Sequence, residues 1–259
     1  MPEKAKKRVT RHANITHSEH GTSVFDPVLC ELAYRWFCPP GGTIIDPFAG
    51  GPVRGVVAAL CGRRYFGIDL SAPQIDANRR QAKELCSPPL PQWAVGDSRN
   101  ILKLAAKHEA DFVFSCPPYA DLERYSDDPA DLSTLEYPAF REAYFDIIAK
   151  TAKKLRPNRF ACFVVGEVRD KASGMFYGLV GDTIDAFRSA GLGFYNDAVL
   201  VQPVGNQRLR VGKSFENSRK LGKTHQNVLI FCKGDPKKAT EAVGEVEFGE
   251  VPEGEEEAA

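Results

Sequence analysis

Short apolar runs alternate with helical patterns along most of this chain, and that alternation leaves few folds open. GTIIDPF (42–48) reads as a buried strand and VRGVVAALCG (53–62) as the helix behind it, closed by Gly62. RRYFGIDL (63–70) is a second strand, followed by a helix over SAPQIDANRRQAKELC (71–86) with Ser71 as N-cap and Pro73 in its first turn. PQWAVGD (91–97), a short helix over 99–108 and ADFVFS (110–115) continue the pattern. YPAFREAYFDIIAKTAKKLR (137–156) carries apolar residues at helical spacing and is halted by Pro157. RFACFVVGEV (159–168) gives a fifth strand, 178–191 a helix closed by Gly191, and 193–204 and 226–234 two last strands. Strands that alternate with helices predict an α/β fold with a doubly wound, mostly parallel seven-stranded sheet, covered on both faces. The two consecutive final strands predict an antiparallel addition at one edge.

In such a sheet ligands bind outside the carboxyl ends of the strands, near the point where strand order reverses. The residues that close each strand are therefore the informative ones: DPFAGG, GIDLS, VGDSR and SCPPY. In the first, Asp46-Pro47-Phe48-Ala49-Gly50-Gly51 turns from strand into helix, and its glycines let a ligand approach the backbone. The spacing is neither G-x-G-x-x-G nor G-x-x-x-x-G-K-[ST], and an aspartate stands where a phosphate site would want a lysine. Asp69 closes the second strand, 23 residues further on, where a carboxylate can accept both hydroxyl hydrogens of a ribose. Asp97 closes the third, where it can accept from an adenine amino group. Three carboxylates in one cleft suit a ligand with a ribose, an adenine and a positive charge but no phosphate. Aspartate is also common in turns and caps, which is the plainer reading of each one alone.

The fourth strand stops at Cys116-Pro117-Pro118-Tyr119. Prolines cannot continue a ladder, so they end the strand, stiffen the segment after it and leave carbonyl groups free to accept from a ligand. Tyr119 is then expected on a rigid turn at the rim of the cleft, its ring free to stack on a flat base.

Charge adds a partner. Lysine plus arginine equals aspartate plus glutamate at 34 each, yet eight glutamates and no basic residue follow from Glu241 onward. Residues 1–240 therefore hold 34 basic against 26 acidic side chains, a body suited to a polyanion. Within VGNQRLRVGKSFENSRKLGKTHQN (204–227), Arg208, Arg210, Lys213, Arg219, Lys220 and Lys223 face a single glutamate. Read as a loop, this insert suits phosphate contacts, with arginine and asparagine available to read groove edges. The expected organisation is a basic arm without fixed structure (1–20), one domain (21–235) containing the insert, and an acidic tail without fixed structure (236–259). No apolar run approaches the ~18 residues of a membrane span, and the N-terminus lacks a signal core, which predicts a soluble, cytoplasmic protein. The seven cysteines include no C-x-x-C pair, so they are expected as reduced, buried thiols, and no cysteine or histidine cluster suggests a metal.

DPFAGG, GIDLS, VGDSR and SCPPY, in that order, resemble motifs I to IV of the S-adenosylmethionine-dependent DNA amino-methyltransferases, which modify N6 of adenine or N4 of cytosine. The resemblance runs from about Thr22 to Gly234, and SCPPYADLERYSDDPADLS looks especially like a group encoded by bacteriophages and prophages. It implies a Rossmann-like class I methyltransferase fold, S-adenosylmethionine as cofactor, base flipping in double-stranded DNA, and the cytoplasm of a bacterial or phage-infected cell, with restriction-modification as one setting. A monomer or homodimer is expected. Motif order matches the arrangement called gamma, whereas DPFAGG looks like the beta type. By the resemblance, Asp46, Phe48, Ala49 and Gly50 contact the methionine part of the cofactor, Asp69 holds the ribose and Asp97 the adenine, and Phe25, Pro47, Gly51, Leu70 and Ser98 also belong to the cofactor site. Cys116, Pro117, Pro118 and Tyr119 receive the flipped base. Cys116 departs from the family, where Asp, Asn or Ser accepts a hydrogen bond from the target amino group. A thiol accepts weakly, which shifts the task to the Pro117 carbonyl or to Ser115. It also removes the usual hint of adenine against cytosine. RNA amino-methylation by the same fold, and a catalytically silent DNA-binding protein, remain open alternatives.

Overall fold

The computed structural model describes residues 25–119, 125–201 and 207–246. The parallel strands are β1 (Thr43–Asp46), β2 (Arg64–Asp69), β3 (Gln92–Val95), β4 (Ala110–Ser115) and β5 (Leu155–Val165). β6 (Gly193–Val201) and β7 (His225–Lys233) complete a seven-stranded sheet in the order β3-β2-β1-β4-β5-β7-β6. The antiparallel addition lies on the β5 side, where β7 inserts antiparallel between β5 and the outermost β6. Strand order reverses between β1 and β4, which sets the switch point beside the ends of those two strands.

The central strands β1, β4 and most of β5 are buried on both faces because they are apolar on both faces, whereas the outermost β6 has no buried residue. Alternate residues feed two cores: Ile45 and Val113 join one, and Ile44, Phe112 and Phe114 the other. The first core is closed by α5 (Tyr137–Lys154) and α6 (Leu179–Ser189), through Phe140, Ile147, Ile148 and Phe187. The second is closed by α1 (Pro27–Phe37), α2 (Val53–Leu60) and α3 (Ala72–Leu85), through Tyr34, Val56, Ile75 and Ala82. Asp26 caps α1 by accepting from the Val28 and Leu29 amides, and Ser71 caps α3 as expected.

The structure departs from the sequence expectation in several places. The helix expected over 99–108 is a 3-10 turn, Ser98–Asn100, running into the single turn α4 (Ile101–Leu104). α5 ends at Lys154, and Pro157 does not stop it but lies within β5. There the register jumps from Ala110↔Leu155 to Phe112↔Phe160, so a bulge absorbs the missing amide, with Asn158 in the left-handed region at φ 53°. The basic insert is not a loop throughout: Gln207–Ser218 forms the helix α7, with Val211 and Phe215 one turn apart. Nor does the fold end at 235. Asp235 caps α8 (Pro236–Val243), whose Ala239 and Val243 are buried in the second core, so only residues beyond this helix remain of the predicted tail. All seven cysteines are free thiols, four of them buried and Cys61, Cys86 and Cys116 partly exposed. Among the described residues no helix is long and apolar enough to cross a membrane. Residues 1–20, and the part of the acidic tail beyond 246, lie outside the described residues.

Candidate functional site

The four sequence motifs converge on one rim, at the carboxyl ends of β3, β2, β1 and β4, and hydrogen bonds tie each to the next. Asp46, at the end of β1, is fully buried. Its Oδ1 accepts from the Phe48 amide at 3.0 Å and the Ser115 hydroxyl at 2.5 Å. Its Oδ2 accepts from Arg54 Nε at 2.6 Å and the Tyr65 hydroxyl at 2.7 Å. Arg54 reaches back from α2, and its Nη2 donates to the Phe48 and Ala49 carbonyls. This buried ion pair holds the DPFAGG turn in shape and cancels the charge of Asp46. The carboxylate expected to meet a ligand's ammonium is therefore already saturated. Ser115 donates its hydroxyl hydrogen to Asp46, which leaves its oxygen with acceptor capacity.

Two glycines have specific reasons to be glycine. Gly50 turns at φ 50°, in the left-handed region. Gly67 on β2 lies under the turn, where a Cβ would stand 2.7 Å from that of Ala49 and 2.9 Å from the Trp93 ring. Every amide from Phe48 to Gly50 already has an acceptor: Asp46 for Phe48, the Ile68 carbonyl for Ala49 and Asp69 for Gly50. Position 52 is proline and offers none. The amides of 48–50 are thus not open to a ligand, while α2 begins behind Pro52 without a side-chain cap.

Asp69, at the end of β2, accepts from the Gly50 and Ser71 amides, each at 2.8 Å. Burial lifts its carboxyl above the ordinary range, against the lowering effect of those two amides. Asp97 accepts from the Arg99 amide at 2.8 Å and from Arg99 Nε at 2.7 Å, so it pairs with a cation that the sequence pattern did not assign to it. Ser98 is buried and donates to the Pro47 carbonyl, fastening the third motif to the first. One protein bond to each oxygen leaves both Asp69 and Asp97 with acceptor capacity. Leu70 is half-buried and Gly51 exposed at the same rim. Phe25 packs edge-on against Phe114 at 5.7 Å, with the Arg54 guanidinium 4.8 Å above its ring.

At the end of β4, Pro117 is buried and Cys116 half-buried. The Cys116 thiol lies 3.8 Å from the Tyr119 hydroxyl. Tyr119 is not the free rim side chain expected. Gln226 on β7 donates to its hydroxyl, and two ring carbons lie 3.8 Å from the position a Cβ would take on Gly166. Burial, with Cys116 nearby, pushes this hydroxyl far above its ordinary range, so it stays protonated.

Of the six basic candidates, Arg208, Arg210 and Lys213 fall on α7, and the side chains of Arg208 and Arg210 lie outside the described residues. Lys213 and Arg219 are exposed, Arg219 with its guanidinium 5.0 Å from the Phe215 ring. Lys220 and Lys223 are half-buried. Among the described residues, no group of three or more His, Cys, Asp or Glu is placed to hold a metal ion.

Arg54 and Gln226 were missed by sequence reasoning. A lone arginine inside the apolar run of VRGVVAAL was the available signal for Arg54. Gln226 left none, because its role depends on β7 lying beside β5.

No family model matches the chain, and no curated protein is similar to it in sequence. Solved structures are similar in fold. TrmN from Thermus thermophilus superposes with a TM-score of 0.52 at 15% identity, over 81% of this chain and 49% of that one, so this chain spans about half its length. The magnesium protoporphyrin IX methyltransferase ChlM from Synechocystis PCC 6803, solved with bound SAH, gives 0.50 at 12% identity, over 75% of each chain. The [4+2]-cyclase SpnF gives 0.54 at 13% identity, over 80% of each. The fold is the Rossmann-like class I methyltransferase fold, a mostly parallel seven-stranded sheet flanked by helices.

Proposed function

We propose that the protein transfers a methyl group from S-adenosylmethionine to the exocyclic amino group of a base, N6 of adenine or N4 of cytosine, flipped out of duplex DNA. The observation that carries this reading is the rim itself: carboxylates with acceptor capacity, a DPFAGG turn whose Phe48, Ala49 and Gly50 amides are all engaged, and the SCPPY turn adjacent at the switch point. Such a rim favours a nucleoside without phosphates, and ChlM, of the same fold, was solved with SAH. Asp69 takes the ribose hydroxyls and Asp97 the adenine amino group. The DPFAGG turn, stiffened by Asp46 and Arg54, shapes the methionine end through Phe48, Ala49 and Gly50 rather than through a charge on Asp46.

Methyl passes in line from the sulfonium to the amino nitrogen. The nitrogen's lone pair forms the new C–N bond, the S–CH₃ bond breaks with its electrons returning to sulfur, and the nitrogen then releases a proton to water. Sulfonium transfer depends on alignment more than on a strong base. The Pro117 carbonyl is the acceptor that aligns the amino group, with the Cys116 thiol a weaker one beside it. The Tyr119 ring borders the base, oriented by Gln226 and Gly166.

Incubation with labelled S-adenosylmethionine and unmethylated duplex DNA, followed by nucleoside mass spectrometry, tests this. N6-methyladenine or N4-methylcytosine is the expected product. Label in structured RNA alone would replace the substrate. The inward hydrogen bonding of Tyr119 and the thiol at 116 favour a second reading, a DNA-binding protein without turnover. Cys116→Ser separates the two, preserving or raising activity in an enzyme and leaving a silent protein inert.

A further inference from the structure

Beyond β5 the chain forms a small hairpin that the site above does not use. Arg169 and Phe176 pair as an antiparallel bridge, and the Asp170, Gly174 and Tyr177 amides donate to the Met175, Asp170 and Val168 carbonyls at 2.8–2.9 Å. The Asp170 carboxylate is turned inward, accepting from the Ala172 and Ser173 amides. At its base, Tyr177 stacks on Tyr137 with ring centroids 4.0 Å apart. This is a braced hairpin with its turn at 171–173, and its returning arm holds Met175 72% exposed and Phe176 47% exposed.

The surroundings of this arm are cationic. The Arg169 guanidinium lies 3.7 Å from the Phe176 ring centroid. Lys171 projects from the turn. The Lys220 amino group, from the basic insert, comes within 2.7 Å of where a Cβ would sit on Gly174. The hairpin also rises from the correct end of the sheet. β4 and β5 are parallel neighbours, so it begins two residues beyond Gly166, which contacts Tyr119.

We propose that Met175 and Phe176, on the arm returning from the hairpin turn, form an apolar wedge that enters the base stack of duplex DNA beside the nucleotide whose base is extruded. This rests on the DNA reading above. Apolar side chains that unstack a base step are of this type, and the cationic collar supplies the complement to flanking phosphates. A flipped base leaves a gap in the stack, and a wedge that fills it offsets part of the cost of opening.

The test compares the full chain with Met175→Ala/Phe176→Ala in binding two labelled duplexes of equal length, one perfect and one with a central abasic site, over a range of salt. Wild type is expected to favour the abasic duplex, where the gap exists already. The double variant is expected to lose that preference by about tenfold, the scale of one base-stacking contact. The slope of log affinity against log salt stays unchanged, because no phosphate contact is removed. Lys213→Ala/Lys220→Ala should behave in the opposite way, weakening both duplexes alike and flattening the slope. Wild type without a preference, or a double variant that keeps it, overturns the wedge and directs this exposed arm to a protein partner. Should wild type methylate DNA yet show no preference, the wedge alone fails. If it binds cofactor but neither duplex, the DNA reading falls as well.

Discussion

At the ends of β1, β2 and β3 nearly every polar group already has a partner inside the chain, and the apolar groups between them are buried. Beyond β5, at the same edge of the sheet, a braced hairpin and a basic helix hold apolar and cationic side chains out in water. Asp46 accepts four hydrogen bonds with no exposed surface, whereas Met175 is 72% exposed. In the first region the groups are fixed by bonds inside the chain, so a ligand there would have little to reorganise. The second leaves apolar and cationic side chains exposed, and under the proposed function these face DNA. The difference teaches where sensitivity to mutation should lie: stability and cofactor binding on one side, nucleic-acid binding on the other.

The sharpest way to break this contrast is Asp46→Ala. Removing it leaves Arg54 charged, buried and unpaired, which costs roughly 3–5 kcal/mol. Urea denaturation should show that loss. The double change Asp46→Asn/Arg54→Met should recover part of it, because it removes both charges. A loss under about 1 kcal/mol would mean that the pair is not the brace described.

Asp69 comes next. Asp69→Ala should lower affinity for S-adenosylmethionine about ten- to a hundredfold, the worth of hydrogen bonds to a charged group. Because burial raises this carboxyl in the folded chain, the sign of its linkage is the reverse of the usual aspartate. The stability it contributes is present in acid and is lost as pH rises through the raised value. Cofactor binding that needs the ionised form should weaken on acidification before pH reaches the ordinary carboxylate range. Calorimetry at successive pH values would show this, and a flat profile for the wild type would remove Asp69 from the ribose. Gly67→Ala should follow at about 1–3 kcal/mol of stability, from overpacking against Ala49 and Trp93.

Those effects also mark what could be read without a structure. Parallel strands buried on both faces write themselves as apolar runs, and ligand-bearing turns interrupt such runs with Gly, Pro and Asp, so the fold and the four strand-end motifs were legible. Function of the individual carboxylates was less so. Asp46 looked available because its partners, Arg54, Tyr65 and Ser115, come from three other elements. Tyr119 looked like a free ring because Gln226 is 107 positions away. α8 was hidden by the glutamates that begin within it, although Ala239 and Val243 carry its buried face. Pro157 misled for the same reason, since a bulge can accept a proline only where the neighbouring strand skips a residue.

Glu167 offers the smallest effect and a test of the border between the two regions. It stands between Gly166, which packs on Tyr119, and the hairpin. Its Oε1 accepts from the Val180 amide at 3.2 Å near the start of α6, while its Oε2 is buried with no hydrogen-bond partner among the described residues. An orphaned oxygen on a charged group costs more than one on a neutral amide. Glu167→Gln keeps the Oε1 acceptor and removes the charge, so stability should rise by about 0.5–1 kcal/mol at neutral pH. If the proposed pocket needs that carboxylate for a bound base, the same variant should lose methyl transfer while gaining stability. A fall in both would make Glu167 a structural part of the cofactor-side framework, moving the border between the two regions out to the hairpin.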